Sequence, residues 1–157
     1  MIKRIGMTVI AVLAFSLAAQ AADMDSGTWV LNVAKSTSST GLPRSNTQVV
    51  SMDGGWVIAK NTGVDKDGKT TSSNTISKSD GVARPRIGNG PDAFGMLTTR
   101  TASDDFHFKF VAIAITGKAR QTQAVVISPD GKVKTRTTTG VDKDGKVFNN
   151  VFVFDKQ

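Results

Sequence analysis

Downstream of residue 22 the apolar positions alternate along the chain. Phe106, Phe108 and Phe110 share one side of an extended run, and His107 and Lys109 take the other. Near the C-terminus Phe148, Phe152 and Phe154 oppose Val147, Val151 and Val153. A period of two marks β-strands, because successive side chains leave a pleated strand on opposite faces. Both faces of the last run are apolar, which predicts a closing strand packed on two sides. The runs are punctuated by Asp53-Gly54-Gly55, Asp67-Gly68, Asp80-Gly81, Thr116-Gly117-Lys118, Asp130-Gly131 and Asp144-Gly145. Gly accepts the positive φ that tight hairpin turns need, so each of these is a hairpin cue. Nine strands follow, over 28–33, 45–52, 55–62, 69–77, 94–101, 105–116, 118–128, 132–139 and 146–154, with a tenth over 82–87. The close spacing of the turns suits consecutive antiparallel hairpins and leaves no room for crossover helices.

The chain also repeats itself. The octapeptide from Thr62 to Lys69 recurs unchanged from Thr139 to Lys146, and Val49, Ser51, Asp53 and Gly54 match Val126, Ser128, Asp130 and Gly131 at the same offset. The duplication covers 47–80 and 124–157. Two such meanders in a small domain predict an all-β fold: an antiparallel up-and-down β-barrel of 8–10 strands, whose closure removes exposed sheet edges.

Residues 1–21 change the picture of where the protein works. Lys3 and Arg4 precede an apolar run through Val9, Ile10, Val12, Leu13, Phe15 and Leu17, which ends in Ala19-Gln20-Ala21. This is the layout of a cleavable secretory signal helix, too short and wrongly flanked for a stable membrane span. Cleavage is expected after Ala21. The remaining residues, 22–157, then form one exported domain, periplasmic or secreted.

Composition narrows the chemistry. The 157 residues contain no Cys, one His and 13 acidic residues, all of them Asp. A disulfide scaffold, a Cys nucleophile and a multi-His metal centre are therefore excluded. Asp65-Lys66-Asp67-Gly68 and Asp142-Lys143-Asp144-Gly145 resemble pieces of a calcium loop. Gly63 and Gly140 occupy the position of an earlier ligand, however, and no Glu exists to complete the site. They read as solvated hairpin turns, and neither a metal nor a cofactor is predicted. His107 with Asp105, two residues away on the same face, forms the one candidate acid–base pair, and Arg100 or Arg120 could stabilise a developing anion. Alternation sets His107 against three Phe residues, so the pair faces solvent if those rings face the core. Asp104 and Asp105 point to opposite faces and cannot bracket a substrate. Lys132, Lys134 and Arg136 alternate along one strand and predict a basic outer stripe. No aromatic residues interleave with it for base stacking, so nucleic acid is not the expected partner. An anionic envelope surface fits the stripe better.

Gly27-Thr28-Trp29 resembles the Gly-x-Trp signature of lipocalins, in which the Trp closes the barrel floor. The longer stretch from Gly27 to Ser36 resembles the start of a family of small exported bacterial lipocalin-like β-proteins. Three further segments carry the likeness almost to the C-terminus: Gly88 to Ala93, Ser128 to Lys132, and Gly140 to Lys146 followed by Asn149-Asn150-Val151. The resemblance implies the barrel.

A barrel of about eight strands leaves an interior for its own side chains or one small ligand. The expected function is therefore binding of a small apolar or amphipathic molecule. Trp29, Trp56, Phe106, Phe108 and Phe110 would supply the walls, and Arg100 or Arg120 would meet a polar end. Two other readings remain. One is an isomerase- or cyclase-type enzyme acting on a hydrophobic small molecule through His107 and Asp105. The other is an envelope-interaction protein with a basic outer face. Of the three, the residues favour a protein that is not an enzyme.

Overall fold

The computed structural model describes residues 24–88 and 95–157. The expected signal segment, 1–21, most of the segment from Gly88 to Ala93, and the first residue of the strand expected over 94–101 lie outside them. Among the described residues there are ten strands: β1 (Gly27–Ser38), β2 (Ser45–Asp53), β3 (Trp56–Val64), β4 (Thr70–Ser77), β5 (Arg84–Gly88), β6 (Met96–Ala102), β7 (His107–Ala114), β8 (Arg120–Ile127), β9 (Val133–Val141) and β10 (Val147–Lys156). Each pairs antiparallel with its neighbours in sequence, and β1 closes on β10 to complete a barrel. The short β5, which sequence reading offered only as a tenth, bridges β4 and β6. Without it the cylinder would have two open edges, each a row of unpaired backbone groups.

The meander gives the barrel two unlike ends. Residues 24–26, the C-terminus and the turns after β2, β4, β6 and β8 gather at one end, the floor. The connections after β1, β3, β7 and β9 gather at the mouth. The apolar core sits in the floor half, where Trp29, Leu31, Val50, Val57, Phe108, Val125, Ile127 and Phe154 form one buried cluster. Each large side chain taken out of water there contributes roughly 1.5–3 kcal/mol.

The repeated turns adopt one geometry twice, both at the mouth. Asp65 Oδ1 accepts the backbone N–H groups of Asp67 and Lys69, and Asp142 Oδ1 accepts those of Asp144 and Lys146. In each turn the lysine bonds the second aspartate, Lys66 to Asp67 and Lys143 to Asp144. The carboxylates are thus engaged in shaping their own hairpins. Gly63 and Gly140 serve a different need. A Cβ at Gly63 would stand 2.3 Å from the Ser45 carbonyl oxygen, and one at Gly140 would stand 2.4 Å from that of Arg120. The absent side chain lets adjacent strands converge where the sheet bends.

Two expectations about faces are corrected. Lys134 and Arg136 point into the barrel, where Lys134 is only 3% exposed, and of the expected outer stripe only Lys132 remains outside. The outward positions of this strand are Val133, Thr135, Thr137, Thr139 and Val141, and Thr138 shares the inward face with the two cations. The apolar residues of the strand therefore do not mark the side that turns inward. The last strand, in turn, is not covered on both sides: its Phe residues point inward, and Val147 is 74% exposed on the outer surface.

Candidate functional site

At the floor the chain's first described residues turn inward and plug the cylinder. The Trp29 indole Nε1 donates to the Asp25 backbone carbonyl at 2.8 Å, and the ring is fully buried. The Asp25 carboxylate accepts from Lys134 Nζ at 2.8 Å and lies 3.8 Å from the Arg100 guanidinium. Lys156 Nζ donates to the Met24 carbonyl. These cations rest on aromatic faces: Lys134 lies 4.4 Å and Lys156 5.0 Å from the Trp29 ring centre, and Arg100 lies 4.2 Å from that of Phe108. Ring quadrupoles and one carboxylate thus hold charges that would otherwise be costly to bury. Burial still dominates for Lys134, lowering its pKa from 10.5 to about 8 despite Asp25, with Arg136 and Lys156 adding repulsion.

Toward the mouth the packing opens. A cavity of about 560 Å³ lies among the ends of β3, β4, β5 and β10 and the connections after β1, β3 and β9. Its walls include Phe148 and Phe152, the polar side chains Asn46, Asn61, Ser73 and Asn150, the guanidinium of Arg86, and Asp65, Lys66, Asp67, Lys69 and Asp142 of the mouth turns. Below it a narrow space of about 50 Å³ reaches Asp25 at the floor, bounded by Arg86, Lys134, Arg136, Phe110 and Phe154. The upper volume falls in the range of small-molecule sites. The lower one suits a few waters and excludes an organic ligand. Arg86 and Asn61 border both spaces and mark their junction.

A hydrogen-bond relay joins floor to junction. Lys134 Nζ donates to Gln48 Oε1, and Gln48 Nε2 donates to Asn61 Oδ1 at 2.7 Å. Beside it the Arg136 guanidinium lies between Phe152 and Phe154, 5.2 and 5.1 Å from their ring centres.

The side chains singled out from sequence are placed as follows. Phe110 borders the narrow space. Trp29, Phe106 and Phe108 face inward but belong to the packed floor, and Arg100 is buried there beside Phe108. Trp56 is corrected: it stands on the outer surface, 39% exposed, with the Arg84 guanidinium 4.7 Å from its ring centre. Its neighbour Val57 takes the inward position instead. Arg120 is likewise on the outside, because Gln121 beside it is buried in the lumen. His107 and Asp105 are both exposed and border neither space. The partner of His107 is Asp104, not Asp105. Asp104 Oδ1 accepts from the Phe106 and His107 backbone N–H groups and lies 2.8 Å from His107 Nδ1. The bond from the Phe106 N–H, then that from the imidazole, lowers the Asp104 pKa. The arrangement caps the β6–β7 hairpin and faces away from the cavity.

Sequence reading missed Arg86, Asn61, Gln48, Phe148 and Phe152 as lining residues, and it set Lys134 and Arg136 on the wrong face. The available signals were the shared face of the C-terminal Phe residues and the alternation of Lys134 and Arg136. The chain matches no protein-family model and no curated protein.

Proposed function

We propose that this protein is an exported carrier that holds one small amphipathic molecule in the mouth half of its barrel. The observation that carries this reading is the cavity of about 560 Å³, lined by Phe148 and Phe152 together with amide, hydroxyl and charged side chains. Such a lining suits a ligand with an apolar body and a polar end. The secretory layout of residues 1–21 and the likeness to exported lipocalin-like proteins support the compartment. The enzyme reading needs His107 or Asp105 beside the cavity, and both lie on the outer surface. The envelope-surface reading needs Lys134 and Arg136 outside, and both lie within.

The test is native mass spectrometry of protein isolated from its own host compartment, with titration by the uncharged fluorophore N-phenyl-1-naphthylamine. A co-purifying small mass and saturable one-to-one fluorophore binding are expected. Protein that carries no such mass and leaves the fluorophore unbound would remove the carrier proposal.

A further inference from the structure

We propose that the mouth ends of β5 to β10 form a docking surface for an anionic lipid bilayer. Docking there does not depend on what the cavity holds and involves neither Lys134 nor Arg136.

Strand register sets the surface. Leu97 pairs with Ile113, Ile113 with Arg120, Arg120 with Val141 and Val141 with Val147. These five side chains form one outward row across adjacent strands, and Arg120 is its only polar member. One position nearer the mouth stand Ile87, at the end of β5, and Ile115, in the turn after β7, 67% and 71% exposed. The next outward row toward the floor changes character: Thr99, Val111, Thr122, Thr139 and Asn149 are mostly hydroxyl and amide. The outer wall is thus apolar at its mouth edge and polar below it, the gradient of a surface that dips shallowly into a bilayer. Exposed apolar residues scattered singly need no account, but an aligned row does.

Charge names the partner. Among the described residues, β5 to β8 and the turn after β7 hold no carboxylate at this end. Lys118 and Arg120 are exposed there and form no ion pair among the described residues. The flanking turns are balanced: Asp142 and Asp144 stand with Lys143 and Lys146, and Asp65 and Asp67 with Lys66 and Lys69. The positive excess therefore coincides with the exposed isoleucines, and basic residues beside an apolar edge suit anionic headgroups. A second copy docked on the same surface would set these cations against their equals. A peptide strand would need an open sheet edge, and the closed barrel offers none.

The test mixes the chain from Ala22 with sedimentable vesicles of phosphatidylcholine, alone or with an equal part of phosphatidylglycerol. Binding to the mixed vesicles is expected to be at least about tenfold tighter, and to be lost near 1 M salt, where the Debye length is about 3 Å. Lys118→Gln/Arg120→Gln should weaken it roughly 25-fold, the scale of two basic residues at a membrane surface. Lys109→Gln/Lys132→Gln removes the same charge from exposed positions nearer the floor and should stay within about twofold. Ile115→Ser/Val147→Ser should weaken binding about tenfold, and thermal unfolding should report an intact barrel because both side chains are exposed. Trp56 stands exposed at the floor end, so the indole emission should not shift on binding. Equal binding to both kinds of vesicle, equal losses from the two charge variants, or a blue shift of the emission would each overturn the proposal. So would a chain that ignores vesicles, whether it stays monomeric or forms a dimer that Ile115→Ser/Val147→Ser dissolves. The fluorophore titration in lipid-free solution tests the carrier reading separately, and each can fail without the other.

Discussion

Lys134 donates from Nζ to Asp25 Oδ1 at 2.8 Å, joining two buried side chains that lie 109 positions apart in the chain. The pair anchors the first described turn inside the cylinder and starts the relay through Gln48 to Asn61. One contact thus couples closure of the floor to the polarity of the cavity above it.

Removing one member of the pair should cost more than removing both. Lys134→Met leaves Asp25 in the floor with Arg100 alone, and a loss of about 3 kcal/mol in urea unfolding is expected. The double variant Asp25→Asn/Lys134→Met should recover most of it. Losses that simply add would show that the two side chains are not energetically coupled.

The same lysine gives stability a pH dependence of definite sign. Its pKa is about 8 when folded against 10.5 in the free side chain. Between those values the unfolded chain binds more protons, so the contribution of Lys134 rises as pH increases from 8 toward 10.5 and is flat below. The charged groups around it are Asp25 on the N-terminal segment, Arg136 on its own strand and Lys156 on β10. The stability gap between wild type and Lys134→Met should change in favour of wild type by about 2–3 kcal/mol from pH 7 to 10.5. A gap constant with pH would mean that the lysine titrates alike in both states.

Gly140 and Gly117 should respond differently to a side chain. A Cβ at Gly140 meets the Arg120 carbonyl at 2.4 Å and the Phe148 ring at 2.8 Å, whereas Gly117, at φ +72°, has open space around it. Gly140→Ala is expected to destabilise by about 1–3 kcal/mol through overpacking. Gly117→Asn, at a position Asn tolerates, should cost under about 1 kcal/mol. Thermal unfolding of both variants checks the order, and the reverse order would contradict the close approach at Gly140.

Substitutions at the β6–β7 hairpin should leave the cavity untouched. His107→Ala should shift stability by less than about 0.5 kcal/mol, as an exposed side chain does. Asp104→Ala should cost more, because two backbone N–H groups lose their acceptor. Neither should alter binding of N-phenyl-1-naphthylamine. A marked fall in binding for His107→Ala would bring that residue back into the site.

Export predicts a mature chain that begins at Ala22, with Asp25 three residues from the new amino terminus. Intact mass and N-terminal sequencing of protein recovered from the host compartment measure this directly. Recovery of a chain still bearing Met1 would contradict cleavage.

The amino-acid sequence by itself determined the strands, their turns and their meander order. Those are local matters: an Asp-Gly pair adopts its turn within four residues, and a run of Thr, Val and Phe is extended wherever it lies. It also marked the inward face of β7, because Phe106, Phe108 and Phe110 alternate with charged neighbours. Only the tertiary structure decided which face of the other strands turned inside. Trp56 was outranked by Val57, and Lys134 and Arg136 entered a lumen that their alternation had assigned to solvent. A strand with Val and Thr on one face and two cations beside a Thr on the other carries no local sign that the cationic face turns inward. Its orientation follows from the register set across the sheet and from the one carboxylate, Asp25, that the closed barrel brings within reach.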